Sequence, residues 1–285
     1  MALVAAQLVT GSTYLVAKLG LREFHPLTLG FLRFVLTGLV YLALFRFLRR
    51  HVRPLGQLNV RLLALMGFLA VPLNQGLFLC GQKLAHSTHG ALLYALTPLV
   101  VLIMARLYLG ESLTPAKVLG VALGLTGALL VLFEKSTGFS AESLTGDLLI
   151  FLGVLVWAWY TILLKDALQT HSALEATGYS LMLGAVFYLP VGIPYAISQD
   201  YSQVTMTGWG SVLYLSLLTS VLAYFVWSWA LSHVEAGKIA VVSNLQPIVA
   251  TFLGWIVLHE PVTAQFIAGT ILAISGIIIT QKGPT

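Results

Sequence analysis

Charge is what this chain has least of. Only 9% of its 285 residues are Asp, Glu, Lys or Arg, while 58% are hydrophobic and the mean hydropathy is +0.92. An ordinary soluble domain carries roughly 25% charged residues, so a soluble globular protein is excluded. Cysteine is nearly absent too: Cys80 stands alone, which rules out an intrachain disulfide and every Cys-rich metal pattern. The alternating segments of a membrane β-barrel are missing, and no connection is long enough to hold a soluble domain. Catalytic signatures are missing as well: there is no H-E-x-x-H, no G-x-S-x-G and no carboxylate pair inside an apolar run. His86 and His89 have metal-like spacing but no third ligand beside them, so no metal and no cofactor are expected.

Long apolar runs fill the space these absences leave. About 20 apolar residues cross a bilayer core as helix, and the runs predict an all-α polytopic membrane protein. Ten transmembrane helices are expected at 2–21, 27–47, 61–83, 88–109, 115–133, 147–166, 173–197, 208–231, 237–258 and 263–281. The opening "MALVAAQLVTG" has no positive n-region, so the first helix reads as retained. Arg46, Arg49, Arg50, Arg53, Arg61, Arg106, Lys117, Lys165, Lys238 and Lys282 fall at one set of span ends, against Arg22, Lys83 and Lys135 at the other. By the positive-inside rule both termini are cytoplasmic, in the inner or plasma membrane. The net charge of +5 is then a membrane-side bias, with the lipid bilayer as partner and no nucleic acid.

The chain repeats itself. A displacement of 149 positions pairs Pro98 with Pro247, Glu111 with Glu260, Thr114 with Thr263, Gly120 with Gly269 and Gly127 with Gly276, and one of about 147 pairs Lys18 with Lys165. Two units result, 1–135 and 146–283, each of five helices. Because five is odd, the second must be inverted relative to the first, an architecture of secondary transporters. Pro98 and Pro247 fall about ten residues into the fourth and ninth spans, close to mid-depth. There each would remove a donor and give its helix a place to bend, as a packing kink or as a hinge beside a site.

These residues also resemble a known family. "GSTYLVAKLGL", "LGFLRF", "ALTPLVVLIMARLYLGESLTPAKVLGVALGLTGALLV" and "LHEPVTAQFIAGTILAISGIII" together resemble the drug/metabolite transporter superfamily, specifically its EamA-type ten-helix carriers. The resemblance implies two inverted five-helix halves around a central cavity, with the fifth and tenth helices set apart as scaffold and often as a dimerising surface. It also implies export or exchange of small metabolites such as amino acids. One departure is that Thr10 stands before Gly11 where the family often has tryptophan.

Polar and aromatic residues at mid-depth mark the candidate site, because lipid would penalise them and a watery cavity would not. Thr13, Tyr14, Arg33, Asn74, Gln75, Tyr94 and Thr97 come from the first half, and Trp157, Tyr160, Tyr224, Asn244 and Gln246 from the second. Arg33 lies too deep to be idle, and is expected either to attract an anionic group of the substrate or to pair with Glu23. The ten acidic residues all fall at span ends or in connections. That placement favours facilitated diffusion or exchange over tight ion coupling. Glu111 and Glu260 are expected to cap the helix that comes after each of them. Gly120, Gly124, Gly127, Gly269 and Gly276 form small-residue stripes, which suit either close packing within a monomer or a homodimer. The expected function is alternating-access export or exchange of small amphipathic metabolites. The alternative is an importer or antiporter of the same fold for sugars, nucleobases or drugs, with a non-transporting scaffold a distant third.

Overall fold

The apolar runs become helices because a backbone in lipid must satisfy its own hydrogen bonds. The computed structural model describes residues 2–84, 93–132, 141–258 and 264–282, and among them there is no strand. The helices are α1 (Ala2–Glu23), α2 (Pro26–Phe47), α3 (Val60–Leu84), α4 (Thr97–Leu109), α5 (Pro115–Leu132), α6 (Ala141–Ala167), α7 (Ala173–Ser198) and α8 (Met206–His233). After them come α9 (Ala236–Val242), α10 (Leu245–Leu258) and α11 (Ala264–Lys282). Five helical stretches are long and apolar enough to cross a bilayer, in α2, α3, α6, α7 and α8, and shorter apolar helices lie in α4, α5 and α11. The chain is a multi-pass membrane protein.

Local chemistry sets the boundaries. Pro26 opens α2 with His25 as N-cap, and Ser172 and Glu175 form a capping box at the start of α7. Gly110 ends α4 with a left-handed φ of 69° that a side-chain-bearing residue would resist. The two spans containing the matched prolines differ from expectation. Residues Ala95–Leu96 form a turn before α4, and Ser243–Asn244 form a turn between α9 and α10. Leu96, Ser243, Asn244 and Gln246 donate their N–H groups to the carbonyls three residues back, at 2.9–3.1 Å. Pro98 and Pro247 therefore sit in the first turn of a helix that restarts. A missing N–H costs nothing at that position, so neither proline kinks a continuous helix.

Packing separates two regions. α2 packs on α7, α3 on both α6 and α7, and α1 on α8 and α10, while α4 contacts α6 and α9. α5 and α11 pair closely with one another. At their seam a Cβ on Gly276 would stand 2.5 Å from the Gly120 carbonyl and 2.7 Å from the Gly124 amide. Gly120 likewise has no room for a Cβ beside the hydroxyl of Thr280, and Gly127 and Gly269 are buried on the same two helices.

Candidate solute-binding cavity

α3 and α8 are widened at places that correspond under the sequence displacement, and α4 is also widened at its end, Ala105–Leu109. In α3 the turn Leu69–Leu73 is π-helical, contains Pro72, and lets the Asn74 N–H reach back to the Leu69 carbonyl. In α8 the stretch Tyr214–Ala223 is π-helical, and the Tyr224 N–H reaches the Thr219 carbonyl. Each residue added to a turn rotates the rest of the helix by about 100° around the axis, so it re-aims the next side chains. Those side chains are Asn74 and Gln75 in α3, and Tyr224 in α8. All three line one cavity.

The cavity holds about 80 Å³ and is walled by Ala6, Gln7, Thr10, Thr13 and Tyr14 of α1, Arg33 of α2, and Asn74, Gln75 and Phe78 of α3. Tyr94, Trp157 of α6, Thr219, Ala223, Tyr224 and Trp227 of α8, and Gln246 of α10 complete it. By this measure one water needs about 10–15 Å³, so the space admits a cluster of waters or a small solute. One side is hydrogen-bonded throughout. Arg33 donates through Nε to Ser220 Oγ (2.8 Å) and through a terminal nitrogen to Gln75 Oε1 (2.7 Å). The Gln75 amide donates to Asn74 Oδ1 (2.5 Å) and to the Tyr224 hydroxyl (3.2 Å), and Asn74 donates to the Gly153 carbonyl (2.7 Å) and to Tyr94 (3.2 Å). Across the cavity Tyr14 donates to Gln246 Oε1 (3.0 Å), Gln246 donates to Gln7 Oε1 (2.8 Å), and Thr13 and Thr219 share a bond of 3.0 Å.

Aromatic rings close the polar centre from two directions. Tyr14, Phe78 and Tyr94 meet edge to face, with centroids 5.6–6.0 Å apart. Trp157 lies 5.2 Å from both Tyr160 and Tyr224 and 6.1 Å from Trp227. Such pairs are weakly attractive, about 0.5–1.5 kcal/mol each, and give a wall with both apolar faces and hydroxyl edges.

Of the twelve residues the sequence pointed to, the structure brings nine to the cavity: Thr13, Tyr14, Arg33, Asn74, Gln75, Tyr94, Trp157, Tyr224 and Gln246. Thr97, Tyr160 and Asn244 do not line it. Thr97 is buried at the restart of α4, Tyr160 packs in the apolar core behind Trp157, and Asn244 points at Gly124 of α5, since the Ser243–Asn244 turn rotates it away. Gln7, Thr10 and Thr219 were not among the expected site residues and do line it. All three are polar residues inside apolar runs, the signal that could have found them, and Thr10 is also the departure from the tryptophan that the resemblance led one to expect.

Two expected pairings are corrected. Glu23 does not meet Arg33: its carboxylate accepts from the Thr205 N–H (2.7 Å) and the Thr205 hydroxyl (2.9 Å) at the start of α8. Glu111 does not cap α5, whose first turn is served by Thr114 accepting from the Lys117 N–H (3.3 Å). It accepts instead from the Ala236 and Gly237 N–H groups (2.7 and 3.2 Å) at the start of α9, where the helix dipole favours a carboxylate. Lys117, fully buried, stands 3.1 Å from Glu235 and 3.8 Å from Glu111. Glu260, His86, His89 and Lys135 lie outside the described residues.

Lysines tie helix ends at the periphery. Lys18 donates to the Gln82 carbonyl at the end of α3 (3.0 Å), and Lys165 to the Leu231 and Val234 carbonyls at the end of α8 (2.7 and 2.9 Å). Lys18 and Lys165 are 147 positions apart, and Gln82 and Leu231 are 149 apart. Lys83 returns the contact to the Leu21 carbonyl (2.7 Å).

A polar, aromatic-walled cavity between membrane helices suits the binding of a small solute, and comparison with known proteins gives the class. The profile of the EamA-like transporter family matches residues 1–133 and 144–281, and the chain belongs to that family. It is similar to the uncharacterized transporter YyaM of Bacillus subtilis, with 28% identity over 99% of this chain and 92% of the relative. An uncharacterized transporter of Archaeoglobus fulgidus is 29% identical over 98% and 95%. A probable terminal-alkyne amino-acid exporter of Streptantibioticus cattleyicolor is 25% identical over 79% and 74%. A solved crystal structure shares the fold with a TM-score of 0.78, covering 97% of this chain and 94% of its own at 19% identity.

Proposed function

We propose that this protein is a secondary carrier that exports or exchanges small amphipathic organic metabolites, amino acids among them, by alternating access. The observation that carries the reading is the cavity itself. Its lining is drawn from α1, α2 and α3 in the first half of the chain and from α6, α8 and α10 in the second, so a solute held there touches both halves. A solute bridging two bodies is what a rocking mechanism needs.

An inverted pair of five-helix repeats, ten transmembrane helices in all, is supported by contacts that recur under the sequence displacement. The widened turns of α3 and α8 correspond, as do the lysine bonds from Lys18 and Lys165. α1 packs on α8 while α6 packs on α3, the exchange of partners that a pseudo-twofold relation produces. Pro98 and Pro247, each just after a break in its span, are the points where α4 and α10 would swing against the preceding segment. The inner or plasma membrane, with both termini cytoplasmic, is supported by the distribution of Lys and Arg. The similarity to an amino-acid exporter supports that solute class and that direction. The glycine seam of α5 and α11 is used within the chain, which supports a monomer sufficient for transport, alone or within a homodimer.

Counterflow tests the proposal. Proteoliposomes preloaded with a mixture of unlabelled amino acids should take up the labelled ones faster than protein-free vesicles, and Trp157→Ala should slow that uptake while the protein stays folded. Uptake no faster than in protein-free vesicles, from amino acids, sugars or nucleobases alike, would contradict the carrier reading.

A further inference from the structure

We propose that the cavity selects an organic monocarboxylate, its carboxylate on the Arg33 guanidinium and its apolar body against Trp157, Tyr224 and Trp227. The proposal rests on the carrier reading and names its substrate class. Arg33 is 1% exposed and lines the cavity. A guanidinium remains charged under all physiological conditions, and a buried charge without a counter-charge is costly. The described residues give it only neutral partners, the Ser220 hydroxyl, the Gln75 amide oxygen and the Tyr224 hydroxyl, with the Phe34 ring 4.9 Å away. Among the described residues no carboxylate lies within ion-pair distance, and Glu23 is engaged with Thr205. The missing negative charge has to come from elsewhere, and the cavity is the space through which it would arrive.

The same geometry restricts which anion fits. Ser220 takes the Nε–H and Gln75 one terminal N–H, which holds the plane of the guanidinium and leaves N–H groups on the two terminal nitrogens for a carboxylate. Among the described residues Arg33 is the one cation in the wall, which balances one negative charge. A phosphate monoester carries about −1.5 to −2 and would leave excess charge in a poorly solvated space. No acidic residue among those described lines the cavity, so an organic cation would meet Arg33 with nothing to offset the repulsion. Neutral solutes would leave the buried charge as it stands.

Thermal unfolding of the purified protein with phenylpropionate, phenylpropionamide and phenylpropylamine tests this, since the three share one skeleton and differ in charge. The carboxylate should raise the unfolding midpoint in a concentration-dependent way, and the amide and amine should not. Arg33→Gln should weaken carboxylate binding about 10- to 100-fold, the usual effect of losing hydrogen bonds to a charged group, with Arg33→Lys in between. If the glutamine variant does not fold, the three congeners on the wild type and the lysine variant decide. Stabilisation by the amide or the amine equal to that by the carboxylate, or stabilisation by none of the three, overturns the proposal. The carrier reading fails separately. A carboxylate that binds but crosses proteoliposomes no faster than protein-free vesicles keeps the anion site and ends the carrier reading, whereas equal flux of amine and carboxylate does the reverse.

Discussion

The α5–α11 seam and the central cavity are both tightly built, but of different materials. At the seam, backbone meets backbone: Gly120 and Gly276 bring the two helices together until no Cβ fits. At the cavity, side chain meets side chain: amides, hydroxyls and one guanidinium hold one another across α1, α2, α3, α8 and α10. Backbone contacts have one arrangement, and a packed seam resists continuous deformation. Hydrogen bonds between side chains can be traded for bonds to a solute or to water with little net change. The difference teaches where motion is available: the seam can serve as a fixed support while the cavity network re-forms around cargo.

Substitutions can break that comparison, and the largest effect belongs to the seam. Gly276→Val puts carbon against the Gly120 carbonyl and the Gly124 amide, which cannot move aside as a side chain would. A loss on the order of 3 kcal/mol, or failure to fold, is expected in thermal unfolding. Unchanged stability would mean that the seam yields.

Gln75→Leu comes next, because it strips the Arg33 nitrogen and Asn74 of their shared partner. It should cost about 1–3 kcal/mol and also cut solute flux in the folded fraction. Lys18→Met and Lys165→Met should each cost about 1 kcal/mol, reduced by partial exposure from the usual value for a charged hydrogen bond. Their losses should match, since each lysine holds the corresponding helix end. A severe loss from one and none from the other would break the correspondence of the two halves. Trp157→Phe is the smallest change, expected within about 0.5 kcal/mol in stability. It should raise the solute KM about three- to tenfold by trimming the aromatic wall.

Much of this was legible in the sequence because lipid leaves few options. Apolar runs set helix positions within a few residues, and polar groups in the middle of such runs had to find one another, which brought nine of the expected residues to one cavity. The hidden part is non-local. Glu111 lies close before α5 in sequence but meets α9, 125 residues away. Glu23 and Arg33 are ten apart, yet the turn at His25 sends Glu23 to α8. The widening of α8, in a stretch that packs against α1 and α2, has no proline to announce it, unlike Pro72 in α3. Asn244 reads as a site residue alongside Gln246, but in the break at Ser243–Asn244 it faces Gly124.

The most direct test of the central claim, that one cavity is reached from both sides in turn, is thiol accessibility at Thr13. In a Cys80→Ala background, Thr13→Cys in oriented membrane vesicles should react with a membrane-impermeant maleimide applied to either face, and a transported solute should slow both reactions. Labelling from one face only, at a rate the solute does not change, would contradict the account.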